Sequence, residues 1–244
     1  MEKNLMNRQY IIEAFVVGAF MCAGLVVLGY FLFSGIIAVK AMERTVVVKG
    51  LAEREVPADV AIWPIRFNEV DNDLNSLFTA IQKHNAIVKG FLREKGFSED
   101  EISVSVPAIT DRLAQGYVDS TKVKYRYSGS STITVYSDKV ENVRKSMKNL
   151  LELGKRGIAI SGQNCNAKTE FLFTKLNDLK PAMIEEATRN AREVAERFAR
   201  DSKSTLGKIK RARQGQFSIK DRDSSTPFIK KIRVVSTLEY YLSD

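Results

Sequence analysis

Thr45–Val70 reads TVVVKGLAEREVPADVAIWPIRFNEV, and its two halves predict the first strand pair of the fold. Thr45 to Val56 is rich in valine and stops at Pro57. Val60 to Val70 runs through Ile62, Trp63, Ile65 and Phe67. β-Branched and aromatic side chains suit a pleated, half-buried surface, and Pro57-Ala58-Asp59 supplies turn chemistry between the halves. Pro64 has no N–H to give a ladder, so it implies an edge position or a bulge in the second strand.

Beyond this pair the apolar period changes from two to that of a helix. Asp73 is placed to cap it. Leu74, Leu77, Phe78, Ile81, Val88, Phe91 and Leu92 form its stripe, and Gly96 supplies the stop. Ile102–Thr110, Tyr117–Tyr127 and Ser131–Ser137 read as extended, with Gly129-Ser130-Ser131 as a bend. A second helix starts at Asp138, runs through Val140, Val143, Met147 and Leu150, and closes at Gly154. Ile158–Ile160 and Glu170–Thr174 look like strands. The longest helix covers Leu176 to Ser202, with Ile184, Ala187, Ala191, Val194, Ala195 and Phe198 on its buried stripe. So many alanines let a helix lie close to a sheet. Lys208–Ile219 and Ile229–Tyr241 are the last strands, around a polar turn at Asp221–Thr226. Hairpins mixed with helical crossovers predict an α+β fold, a mixed or antiparallel sheet with about three packed helices. No linker or low-complexity segment interrupts it, so 41–244 is expected to be one domain.

Before the first strand, Ala14 to Val39 carries no charged side chain. Such a run exceeds the roughly 30 Å hydrocarbon core of a bilayer when helical. A cleavable signal would also lie here, and Val39-Lys40-Ala41 is a passable cleavage site, but its apolar region would be only about 7–15 residues. Residues 1–40 are therefore expected to be an uncleaved membrane anchor. Lys40, Arg44, Lys49 and Arg54 follow the span while Lys3 and Arg8 precede it. Large domains translocate with little regard to their charge, so these counts leave the orientation open.

Nearly all of the formal net charge of +9 belongs to the part beyond residue 40. Arg200, Lys203, Lys208, Lys210, Arg211 and Arg213 cluster near the end of the long helix, and Lys230, Lys231 and Arg233 lie in the final strand. If the last two strands pair, Lys208, Lys210, Arg211, Arg213, Lys230, Lys231 and Arg233 share a region that would attract an anionic surface such as lipid head groups or envelope polysaccharide. The plainer role for these charges is a solvated strand face and a helix end. Nucleic acid is disfavoured as a partner, because a membrane-tethered domain rarely meets it.

No catalytic constellation emerges. His84 is the single histidine and lies near an apolar stripe, where packing explains it. Cys22 falls in the span and leaves Cys165 alone, which excludes internal disulfides and paired-cysteine zinc sites. Asp221-Arg222-Asp223 opens like a calcium loop, but Thr226 and Ile232 stand where that loop needs glycine and glutamate. A polar hairpin turn is the simpler account. Tyr117, Tyr125, Tyr127 and Tyr136 suit cross-strand packing, or else line a small-molecule pocket. No metal or cofactor is predicted.

Taken in order, several segments resemble the SIMPL domain family of bacterial envelope proteins. They are Thr45-Val-Val-Val-Lys-Gly50 with Glu53, Pro57, Asp59 and Ala61; Lys95-Gly96-Phe97 with Asp100-Glu101-Ile102; Tyr125-Arg126-Tyr127; Gly157-Ile158; the alanine-rich helix Ala187–Ala199; and Leu206-Gly207-Lys208-Ile209. The likeness spans about Thr45 to Tyr241, with Ala58 set between a proline and an aspartate that often adjoin in the family. It implies an α+β domain without an assigned catalytic set, held in the periplasm by an inner-membrane, single-pass anchor, in a family linked with stress tolerance and with oligomers. The expectation is a non-enzymatic envelope module that self-associates or contacts an anionic envelope component. A small-molecule binding or enzymatic domain and a basic domain docking on anionic lipid or polysaccharide are the alternatives.

Overall fold

The computed structural model describes residues 2–41, 44–114, 123–161 and 168–243. In chain order the first half contains α1 (Glu2–Ala41), β1 (Thr45–Pro57), β2 (Val60–Asp71), α2 (Leu74–Glu94), β3 (Ile102–Val104), β4 (Ala108–Asp111) and β5 (Tyr127–Ser137). The second half contains α3 (Val140–Lys148), α4 (Leu151–Lys155), β6 (Glu170–Leu172), α5 (Leu176–Asp201), β7 (Thr205–Gln214), β8 (Ser218–Asp221) and β9 (Ile229–Ser243). The class is α+β, and every described strand register is antiparallel. Among the described residues four α-helices follow α1 instead of about three, because the second predicted helix breaks at Asn149-Leu150 into α3 and α4. Gly154 lies inside α4, and the left-handed residue that ends it is Gly157 at φ 86°.

The chain divides into two compact units, Met1–Ala52 with Ala182–Gln216 and Val234–Asp244, and Glu53–Pro181 with Phe217–Arg233. β1, α5 and β9 each pass from one unit into the other. In the first unit α1 is a helix whose segment Phe15–Ile37 is 23 residues long, with mean hydropathy 2.3 and none of it buried. β1 starts four residues after α1 ends. The sheet order is β1-β9-β7, so β7 is an edge. Leu242 N donates to Arg44 O at 2.9 Å, and Leu206 pairs with Leu242, which sets Arg44, Leu242 and Leu206 in one row across the sheet.

α5 covers this sheet with Met183, Ala187, Ala191, Ala195 and Ala199, a one-sided stripe at i, i+4. A Cβ on Gly50 of β1 would collide with the backbone of Ala187 and Ala191, so glycine is what lets helix and strand approach this closely. Asn190 Nδ2 donates to Leu51 O at 2.8 Å and fixes the register of that approach. Val194 and Phe198, expected on the stripe, are exposed, Phe198 by 55%. An i, i+4 row of alanines already fills the narrow contact, and bulkier neighbours are turned out of it.

The second unit is built on large side chains. β2 lies between β5 and β6, and its register with β5 runs unbroken from Ala61↔Ser137 to Asp71↔Tyr127. Gly129 and Ser131 therefore belong to a continuous strand, not a bend. A Cβ on Gly129 would lie 2.7 Å from Ile81 Cδ1, so this glycine makes room for α2. Pro64 sits in this central strand, which corrects the edge expectation only in part. β6 ends opposite Ile62, so Pro64 meets no strand on that side. Trp63, Ile65, Phe67, Leu77, Ile81 and Phe91 lead the core. Asp73 caps α2 as expected, accepting from Ser76 N at 2.7 Å, while Leu74 and Phe78 of the predicted stripe stay exposed. Ile102–Thr110 is two short strands, β3 and β4, both on β5. Asp59 of the turn after β1 accepts from Thr174 N at 2.8 Å, tying the start of β2 to the chain beyond β6.

Candidate functional site

The seven basic residues singled out by the sequence fall into two groups. Gly215-Gln216-Phe217 interrupts the predicted strand Lys208–Ile219, leaving β7 and β8 as separate partners of β9. Lys208, Lys210, Arg211 and Arg213 lie on β7, where Arg211 faces Glu239 and Arg213 faces Thr237. Lys230, Lys231 and Arg233 lie opposite β8 instead, paired in register with Asp221, Lys220 and Ser218. The expected end-to-end pairing of two long strands is thus corrected. The ladder reaches Gly215, whose N–H donates to Val235 O at 2.8 Å, lapses at Gln216-Phe217, and resumes on β9 as β8.

The two groups differ in charge balance. Lys230 is buried, at 7% exposure, and forms an ion pair with Asp221. Lys231 Nζ is 2.8 Å and Arg233 Nε 3.4 Å from the Glu53 carboxylate. These cations are offset by acids already in place. On β7 every residue from Lys208 to Gln214 is exposed. Lys210 reaches Glu239 at 3.3 Å and lies over the Tyr241 ring. Burial pushes the Glu239 carboxyl up, but hydrogen bonds from Lys210 and Thr45 and the charges of Lys210 and Arg211 outweigh it and hold the carboxyl below its usual value. The β7 edge carries two register shifts, between Leu206 and Ile209 and between Ile209 and Arg211. Bulges of this kind add local twist and place Lys210 and Arg211 together beside Glu239.

The cations are legible in the sequence and their acid partners are not. The signal was present in part, since Glu53 and Glu55 occupy one face of β1 by simple alternation. Their meeting with Lys231, Arg233 and Arg222 depends on pairing across more than 160 positions of chain, which no local pattern reveals.

Two clefts among the described residues bear on the candidate site. One, of about 370 Å³ in the second unit, lies between Pro57, Phe228 and the start of α3. Arg144 stacks 3.4 Å above the Phe228 ring there and pairs with Glu141 at 2.6 Å, so its charge is already engaged. The other, of about 360 Å³ in the first unit, is lined by Arg189 and Arg192 of α5, Ile209 of β7 and Tyr240 of β9. Burial raises the Tyr240 hydroxyl above its usual value, with Arg192 opposing and Glu196 adding to it. Neither cleft sets a nucleophile beside a base.

The other singled-out residues have structural partners. His84 Nδ1 is 2.6 Å from Glu69 Oε1, and its ring meets Phe67 edge-on. Asp223 accepts from the N–H groups of Ser225 and Thr226 and from the Thr226 hydroxyl, which closes the polar turn and, with Arg222, lowers its carboxyl to about 2. Tyr127 packs on the core and Tyr136 is exposed, so these tyrosines line neither cleft. Tyr117 and Cys165 lie outside the described residues. Among the described residues no three His, Cys, Asp or Glu side chains gather as a metal set.

The arrangement is a helix able to cross a membrane, followed at once by an α+β body with an open basic edge. No curated protein matches the chain. The family described as SIMPL, a protein of unknown function (DUF541), matches residues 46–238, from the second residue of β1 to the inner-face Leu238 of β9. On that match over most of its length, the chain belongs to the SIMPL family.

Proposed function

We propose that this SIMPL protein is a single-pass, inner-membrane protein whose body lies in the periplasm and works by assembly and contact, not by catalysis. The observation that carries the proposal is β7. Among the described residues it bonds to β9 on one side only, and it is uncovered from Lys208 to Gln214, with Ile209 48% exposed. An open strand edge is a template for pairing with another chain, and cations along it select what may approach. A surface of this kind suits a second copy or an anionic envelope component.

Light scattering of the full chain in detergent, over a hundredfold range of concentration, tests this. The expected result is a mass above one chain that rises with concentration and falls when Ala212→Pro removes a backbone donor from the middle of β7. A single-chain mass throughout, with no anionic envelope component retained, would refute the assembly role. A phosphatase fused after residue 243 should be active only on the periplasmic side.

A further inference from the structure

We propose that the end of the first unit nearest α1 is a docking surface for the anionic phosphates of the same bilayer that holds α1. The proposal rests on the reading of α1 as a membrane span. Ala41 ends α1 four helical residues past Ile37, about 6 Å along a helix, and three further residues reach Arg44, at most about 10 Å. The head-group layer beyond the hydrocarbon is itself some 5–7 Å deep on each side. Arg44 is thus held within or just above that layer.

The sheet then brings other cations to the same end. Arg44, Leu242 and Leu206 share one row, and adjacent strands are about 5 Å apart, so the start of β7 lies about 10 Å from Arg44. On the α1 side of that row the chain closes α5 into β7 through Lys203 N to Arg200 O at 3.0 Å and Ser204 N to Ala199 O at 2.8 Å. Arg200, Lys203 and, two residues past the row, Lys208 are all exposed. Asp201, between Arg200 and Lys203 in sequence, is an exposed acid at the same turn. Phe198, also in the last turn of α5, exposes its ring. Cations beside an exposed aromatic are the side chains that settle at a lipid interface.

Lys203 gives a second, independent observation. It is the single non-glycine with positive φ among the described residues, at 54°. Glycine takes this conformation freely, so a lysine here keeps a positive charge at the expense of backbone strain.

The test uses the full chain in vesicles of neutral phosphatidylcholine, with or without about 30% phosphatidylglycerol, and a membrane-impermeant amine reagent read by mass spectrometry. Lys49 is the internal control. It is exposed on β1, five residues or about 17 Å beyond Arg44, more than a Debye length away. Labelling of Lys203 and Lys208 should fall at least about threefold in the anionic vesicles and return at about 0.5 M salt, with Lys49 unchanged. In Lys203→Gly the melting temperature should hold or rise while the protection of Lys208 shrinks. Equal Lys203 labelling in both vesicles, or full protection of Lys208 in Lys203→Gly, overturns the docking while flotation with the vesicles upholds the anchor. Failure to float with either vesicle overturns anchor and docking together.

Discussion

The two units of this protein solve the packing of a helix on a sheet in opposite ways. In the first, α5 presents alanines at 187, 191, 195 and 199 to a β1 glycine, and backbone approaches backbone. In the second, α2 presents Leu77, Ile81, Val88 and Phe91 to Trp63, Ile65 and Phe67. Close approach of small residues buries little apolar area per contact and tolerates no added atom. A core of large side chains buries more, at about 25 cal/mol per Å², and can absorb small changes through rotamers. The same contrast recurs in the charges. Glu101 in the second unit is enclosed, whereas the β7 cations of the first stand open.

The largest effect expected from this contrast is an asymmetry between two glycines. Gly50→Ala drives a methyl group into the α5 backbone, which has no rotamer to yield, and should destabilise by about 1–3 kcal/mol or more. Gly129→Ala meets the tip of Ile81 at 2.7 Å, a flexible end, and gains about 0.5–1 kcal/mol of strand propensity in return. Its net cost should lie below about 1 kcal/mol. Urea unfolding of both variants measures the difference. Equal losses would show that the two helix–sheet contacts are alike after all.

These glycines also show how much of the fold the sequence made legible. Alternation in β1 and β2, the capped helix after Asp73 and the alanine row were all visible, because each is a pattern within one element. Gly129 reads as a bend in a strand because the reason for its glycine lies in Ile81, on another element. Val194 and Phe198 read as part of the buried stripe because they are apolar, yet the contact beneath α5 is too narrow to take them. The division of Lys208–Ile219 into β7 and β8 shows only in their pairing with two successive stretches of β9, which is non-local. The basic candidates were legible as residues, and their separation into offset and open groups was not.

A smaller effect tests the electrostatic half of the comparison. Burial raises the Glu101 carboxyl, but Ser137, the Ser98 backbone and Lys139 together bring it down to about 2 from an ordinary 4.5. Its side chain is 14% exposed and its Oε1 accepts from Ser137 Oγ at 2.6 Å. A carboxyl depressed in the folded state contributes stability that is complete above its ordinary value. That contribution is lost as pH falls from about 4.5 through about 2. Glu101→Gln should cost about 1 kcal/mol at pH 7, allowing for screening, and the gap between variant and parent should narrow steadily by pH 3. A gap independent of pH would mean that the substitution acts through shape and not through charge.

The smallest effect concerns the open charges of β7. Lys210 and Glu239 are 3.3 Å apart with Lys210 36% exposed, and pairs in that setting are weakened by solvent, salt and the entropy of a long side chain. Lys210→Gln should therefore leave the melting temperature within about 2 °C of the parent. Glu239 titrates low partly because of Lys210, so losing that cation should shift its carboxyl upward, visible by NMR as a higher titration midpoint. A thermal loss as large as that of Gly50→Ala would instead make Lys210 part of the structural frame, through its stem over Tyr241. Near-neutral stability would leave these charges available to an outside partner, as the proposed contact role requires.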